Sequence, residues 1–167
     1  VGALAAIALV MGNLSGCGDF FVPPNNGGGG TTGGSRLYVT NSLTNSLSGF
    51  TVGTGTLSAV PNSPLALGYP PVDAVVTPDN AFVYLAGPGA IYVYTINSDG
   101  SVTAASGGAG VAIVNVVSLA ISPDGNWLFG LDNTTTVVDE FKINKSNGTL
   151  TSVAAVPYSV SNAVVSP

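Results

Sequence analysis

Apart from tyrosine, this 167-residue chain brings little ionisable chemistry to any site: eight acidic side chains, three basic ones, one cysteine and no histidine. Without histidine it lacks the commonest general base and the commonest transition-metal ligand. A lone cysteine cannot close an internal disulfide. What remains is carboxylates and carboxamides, and some of them recur in step. Asp73, Ser118 and Asn162 each stand five residues before a proline, Pro78, Pro123 and Pro167. Asn41, Gly87 and Asp132 each stand three residues after an aromatic, Tyr38, Tyr84 and Phe129. Asp73 and Asp132 could serve as general acid and base, or hold a hard cation such as Ca²⁺ through oxygen. Together with Asn41 and Asn162 they could form a ring of acceptors around a ligand. The competing reading is that Asn and Asp cap turns and strand ends by bonding nearby backbone. Asp79, Asp99 and Asp124 read as turn residues, and Asp139-Glu140 as a solvated strand edge. Tyr92 and Tyr94 alternate with apolar residues, which favours packing over sugar stacking. No metal or nucleotide cofactor is expected.

The elements that position these residues are written as repeats. Arg36-Leu37-Tyr38-Val39-Thr40-Asn41 has counterparts in Ala81–Gly87 and Asn126–Asp132, with aromatic anchors 46 and 45 residues apart. Val76-Thr77-Pro78-Asp79-Asn80, Ile121-Ser122-Pro123-Asp124-Gly125 and Val165-Ser166-Pro167 keep the same beat. So do Phe50, Tyr94 and Phe141, each followed by a turn glycine, Gly55, Gly100 and Gly148. A period in the mid-forties with several short strands per unit is the mark of propeller blades. Few charges, 7% of residues, and many β-branched residues between Gly, Pro and Asn turns point the same way.

The expected strands are 36–41, 47–52 and 56–60; then 72–77, 81–86, 90–96 and 101–105; then 116–121, 126–131, 136–143 and 149–154. A last strand, 159–166, begins a fourth unit. Runs such as Ala74-Val75-Val76 show little alternation, as expected of sheets covered on both faces. The fold class is therefore all-β: a β-propeller of which about three four-stranded antiparallel blades are present, in repeats of about 36–80, 81–125 and 126–167. In a propeller, Asn41, Asp73, Asp132 and Asn162 would stand near the mouth of the central channel.

Tyr38-Val39-Thr40-Asn41 carries the signature of the YVTN-repeat β-propellers, and the Ser-Pro-Asp-Gly phrase before such a strand is typical of them. The chain thus resembles, over residues 35–167, a group that overlaps the seven-bladed lactonase family, best known for hydrolysing 6-phosphogluconolactone. That resemblance implies a propeller of seven blades. It implies an acid–base cluster and phosphate-binding cations in the channel, and the three scattered cations Arg36, Lys142 and Lys145 do not supply these. No catalytic residue can be carried over. Closed propellers need four or more blades, so the chain is expected to continue beyond Pro167. A three-blade unit assembling into rings is the alternative.

The N-terminus reads as an address. Residues 1–11 are almost wholly apolar, too short to span a bilayer but of signal-peptide length. Leu14-Ser15-Gly16-Cys17 resembles the bacterial lipobox, which implies cleavage before Cys17 and a diacylglyceryl group on it. Residues 1–16 are thus expected to be a signal peptide, with its basic n-region missing because the first basic residue is Arg36. Gly18 leaves an outer-membrane destination open by the family's sorting rule. Residues 17–35 follow as the lipidated Cys and a Gly-rich linker, flexible coil that holds a domain clear of the lipid.

The expected function is a membrane-tethered propeller lipoprotein of the bacterial cell envelope, acting as a binding or scaffold module. A lactonase-type hydrolase, with catalytic residues in further blades, is the alternative. Membrane lipid is the expected partner through Cys17, with a protein or carbohydrate as further ligand. A net charge of −5 leaves no footprint for nucleic acid.

Overall fold

The computed structural model describes residues 35–157, except 109 and 114. Cys17, the linker before Ser35, Asn162 and the strand expected at 159–166 lie outside the described residues. Among the described residues, thirteen strands form three antiparallel sheets. The first holds β1 (Arg36–Asn41), β2 (Ser46–Gly53), β3 (Thr56–Ala59) and β4 (Leu65–Ala66). The second holds β5 (Asp73–Val76), β6 (Phe82–Gly87), β7 (Ala90–Ile96), β8 (Val102–Ala104) and β9 (Val111–Ala112). The third holds β10 (Val116–Ile121), β11 (Trp127–Asp132), β12 (Val137–Ile143) and β13 (Leu150–Pro157). The paths β1-β2-β3, β5-β6-β7-β8 and β10-β11-β12-β13 pair in meander order, so each sheet is one propeller blade.

The outer strands depart from the expected pattern. In the first blade β3 and β4 both pair with β2, on its far and near ends, and β8 and β9 divide β7 in the same way. Pro61 and Pro64 interrupt the first outer strand, since proline has no N–H to give a ladder. Gly107, Gly108 and a 3-10 turn at Ala105–Gly108 interrupt the second. In the third blade β13 runs unbroken, with one register shift between Glu140 and Phe141. Asp139 and Glu140 are not an edge: β12 is paired on both sides and both residues are half-buried.

The period-2 alternation sorts each strand's side chains between two neighbours. Tyr38 and Leu47 of the first blade meet Val83, Leu85, Tyr94 and Ile96 of the second in one apolar cluster. The other face of the second blade, with Phe82, Tyr84, Ile91 and Val93, meets Leu128, Phe141 and Ile143 of the third. All six residues of β6 are buried, as a strand between two covered faces requires.

The repeated phrases supply the fasteners. Thr77 Oγ1 accepts from Phe82 N at 3.0 Å, and Ser122 Oγ accepts from Trp127 N at 3.0 Å, closing equivalent turns. The anchor tyrosines cross between blades. Tyr38 donates its hydroxyl to Gly100 O at 2.8 Å, and Tyr84 donates to Gly148 O at 2.9 Å. Gly148 has a φ of 73°, and a Cβ there would lie 2.7 Å from Phe82 Cδ1. Only glycine gives that turn both its left-handed backbone and its close seat against the preceding blade.

Candidate functional site

Three of the four residues singled out as a channel-mouth ring, Asn41, Asp73 and Asp132, accept hydrogen bonds from backbone N–H groups; Asn162 lies outside the described residues. Asp73 opens β5, the first strand of the second blade, and is 5% exposed. Its Oδ1 accepts from Ala74 N at 2.8 Å, and its Oδ2 accepts from Leu119 N at 2.7 Å. Leu119 lies on β10, the equivalent strand of the third blade, one residue past Ser118, the repeat partner of Asp73. The carboxylate is therefore a clasp between two adjacent blades. Burial pushes its pKa up, against the N–H groups of Leu119 and Ala74 and the Ser118 hydroxyl, and burial wins.

Asn41 and Asp132 end β1 and β11 and do one job in two blades. Asn41 Oδ1 accepts from Leu43 N at 3.0 Å and Thr44 N at 3.1 Å. Asp132 Oδ1 accepts from Thr134 N at 2.7 Å and Thr135 N at 3.0 Å. Both are Asx caps on the four-residue loop that follows. Asp132 is 2% exposed, and burial alone would raise its pKa. The donated Thr135 and Thr134 N–H groups outweigh burial and hold it below its ordinary value. No hydrogen bond links Asn41, Asp73 and Asp132 to one another among the described residues.

One carboxylate outside that set bears on Asp132. Asp139, half-buried on β12, is pushed up by burial and then by the charge of Asp132. Two acids whose environments push their pKa values apart are the raw material of acid–base chemistry. Here the low-pKa member has its Oδ1 occupied by two backbone N–H groups. Among the described residues no cluster of three or more His, Cys, Asp or Glu is placed to hold a metal ion.

A second polar cluster escaped the sequence reading. Tyr69, in the segment between the first and second blades, stacks on Tyr92 with centroids 4.0 Å apart and rings 19° from parallel. Its hydroxyl lies 3.1 Å from that of Tyr94. Tyr94 is buried in the cluster between the first two blades and Tyr92 packs against it, as expected, and both border an open groove.

Comparison with solved structures decides the architecture. A protein from Bacteroides fragilis proposed to be a 6-phosphogluconolactonase superposes with a TM-score of 0.65 at 16% identity, covering 73% of this chain and 36% of that one. A similar protein from Bacteroides uniformis gives 0.62 at 16%, covering 73% and 37%. The periplasmic gluconolactonase of Pseudomonas aeruginosa gives 0.60 at 13%, covering 72% and 36%. The fold is that of the lactonase-like β-propellers. The chain spans just over a third of the length of these structures. No protein-family model matches the chain, and no curated protein does. At such identities the likeness carries the fold and no site residue.

Proposed function

We propose that the protein is an envelope-tethered propeller of lactonase-like architecture whose described blades bind a sugar-derived ligand rather than transform it. The observation that carries this is the fate of the carboxylates: Asp73 and Asp132 are occupied by backbone N–H groups, as a scaffold uses them. A general base must reach the proton it abstracts. The similar solved structures, with lactonases among them, support a sugar acid or its lactone as the class of ligand. Cys17, in the lipobox-like Leu14-Ser15-Gly16-Cys17, supplies the tether.

A second reading, hydrolysis of a sugar lactone, is favoured by Asp73 itself, a buried carboxyl with a raised pKa at the start of an innermost strand. One experiment separates the two. Gluconolactone is given to the protein, and binding is followed by calorimetry while acid release is followed against the spontaneous rate. Binding without turnover supports the first reading; turnover abolished by Asp73→Asn establishes the second. For the tether, labelled palmitate should enter the wild type and not Cys17→Ser. Equal labelling of both would remove Cys17 from the account.

A further inference from the structure

The two interfaces between the blades are not closed alike. Between the second and third, Ala105 and Ile113 join the apolar cluster and complete it. Between the first and second the packing gives way to a groove of about 590 Å³. Leu65 and Leu67 border it from the first blade and the segment after it; Tyr92, Tyr94 and Thr103 border it from the second. Its volume falls within the range of roughly 300–1,000 Å³ usual for small-molecule sites.

Departures from the repeat converge at this place. Tyr92 pairs across the ladder with Leu85, while the equivalent pairs in the other blades are Val39 with Ser48 and Gly130 with Asp139. The tyrosine is therefore not part of the shared blade design. Gly87 stands where the other blades carry the caps Asn41 and Asp132, and a Cβ there would lie 2.7 Å from Tyr69 Cδ2 and 3.0 Å from Tyr92 Cε2. Gly110 makes room on another side, since its Cβ would meet Tyr92 Cε1 at 3.1 Å. The loop after Gly87 is cut to Pro88-Gly89, against four residues in each of the other two blades. Packing alone needs no such set of exceptions, because the neighbouring interface closes without them.

The chemistry of the lining is specific. It includes no Asp, Glu, Lys or Arg. Burial, with the Tyr94 hydroxyl after it, pushes the Tyr69 phenol upward and keeps it neutral. Tyr92 and Asn62 line the groove, and the Tyr92 hydroxyl and the Asn62 carboxamide make no hydrogen bond among the described residues. That contrasts with Asn41, Asp73 and Asp132, all committed. A pyranose ring has an apolar C–H face and a rim of hydroxyls. It therefore matches aromatic rings bordered by free neutral donors and acceptors.

We propose that this groove is a binding site for a neutral saccharide, with a sugar ring packed on the Tyr69–Tyr92 pair and its hydroxyls met by Tyr92 and Asn62. The groove lining includes none of Asn41, Asp73 and Asp132, and the site stands without the reading given under Proposed function.

The test is calorimetric titration of the full chain with cellobiose, maltose and diacetylchitobiose, with gluconate as a charged control. At least one neutral disaccharide should bind at millimolar concentration, and gluconate should not displace it. Tyr69→Ala should weaken that binding about tenfold, which is about 1.4 kcal/mol. Tyr92→Phe and Asn62→Gly, the latter keeping the left-handed backbone of Asn62, should each weaken it about threefold, the loss of one neutral hydrogen bond. These two variants keep the ring packing and decide the matter if Tyr69→Ala fails to fold. The proposal is overturned if no neutral disaccharide binds, if gluconate competes, or if the groove variants bind like wild type. Sugar binding lost in Asp73→Asn but kept in the groove variants would put the ligand at the channel face. That outcome would sink this site and leave the earlier reading standing.

Discussion

Tyr84→Phe tests whether the blades are held together as described. Tyr84 is fully buried, and its hydroxyl donates at 2.9 Å to the carbonyl of Gly148 in the next blade. Phenylalanine keeps the ring and its packing, so the change removes one oxygen and one proton. The net value of a neutral hydrogen bond is about 1 kcal/mol, and a buried carbonyl left without a donor costs about 1–3 kcal/mol. No other donor to Gly148 O is seen among the described residues, so the expected loss is about 2 kcal/mol. For a domain of this size that corresponds to a fall in melting temperature of about 4–8 °C. Thermal and urea unfolding of the protein would measure it, and amide exchange should quicken first in the hairpin around Gly148. Tyr38→Phe removes the equivalent bond to Gly100 at the other interface, and the two losses should add because the sites share no partner. A Tyr84→Phe protein as stable as wild type, within about 0.5 kcal/mol, would show that the hydroxyl latch does nothing and refute the reasoning.

Gly148→Ala meets both a left-handed backbone and the Phe82 ring, so it should cost about 2–4 kcal/mol. Gly55→Ala, at a φ of 72° with open space around it, should cost only about 1–2 kcal/mol; equal losses in unfolding assays would deny the interblade contact. Asp132→Asn should change stability at pH 7 by less than about 1 kcal/mol, because Asn41 performs the same cap. The folded pKa of Asp132 lies below its ordinary 3.8, so its charge contributes stability above that value that is lost as pH falls through the folded pKa. The variant should lack this part of the acid limb, and an unchanged limb would contradict the assignment. Asp73 has the opposite sign. Its folded pKa is raised, so its contribution is fully present below 3.8 and is lost as pH rises through the folded value. Asp73→Asn should remove that decline, and Asp73→Ala should cost about 1–3 kcal/mol by stranding Leu119 N; an unperturbed Asp73→Ala would show that the clasp is idle.

The strands and turns were legible in the chain because their causes are short-range. Pro78 and Pro123 preset a backbone angle, Gly100 and Gly148 take a left-handed one, and Thr77 and Ser122 close their own turns within five residues. Repetition of those phrases at 46 and 45 residues then announced blades, since identical local chemistry must build identical units. Breaks in an outer strand were readable only in hindsight, at Pro61, Pro64 and the glycines near 108. Local uses of polar side chains were legible too: Asn41 and Asp132 cap turns, and Asp79, Asp99 and Asp124 close them, but the fate of Asp73 was not. Whether Asp73 faces a ligand or a backbone amide depends on Leu119, 46 residues further on, and on the seating of one blade against the next. The same seating decides that one interface closes over Ile113 while the other opens onto Tyr92. Period-2 alternation tells which side chains share a face, but the neighbour that covers the face, and the space it leaves, exist only once the sheets are packed.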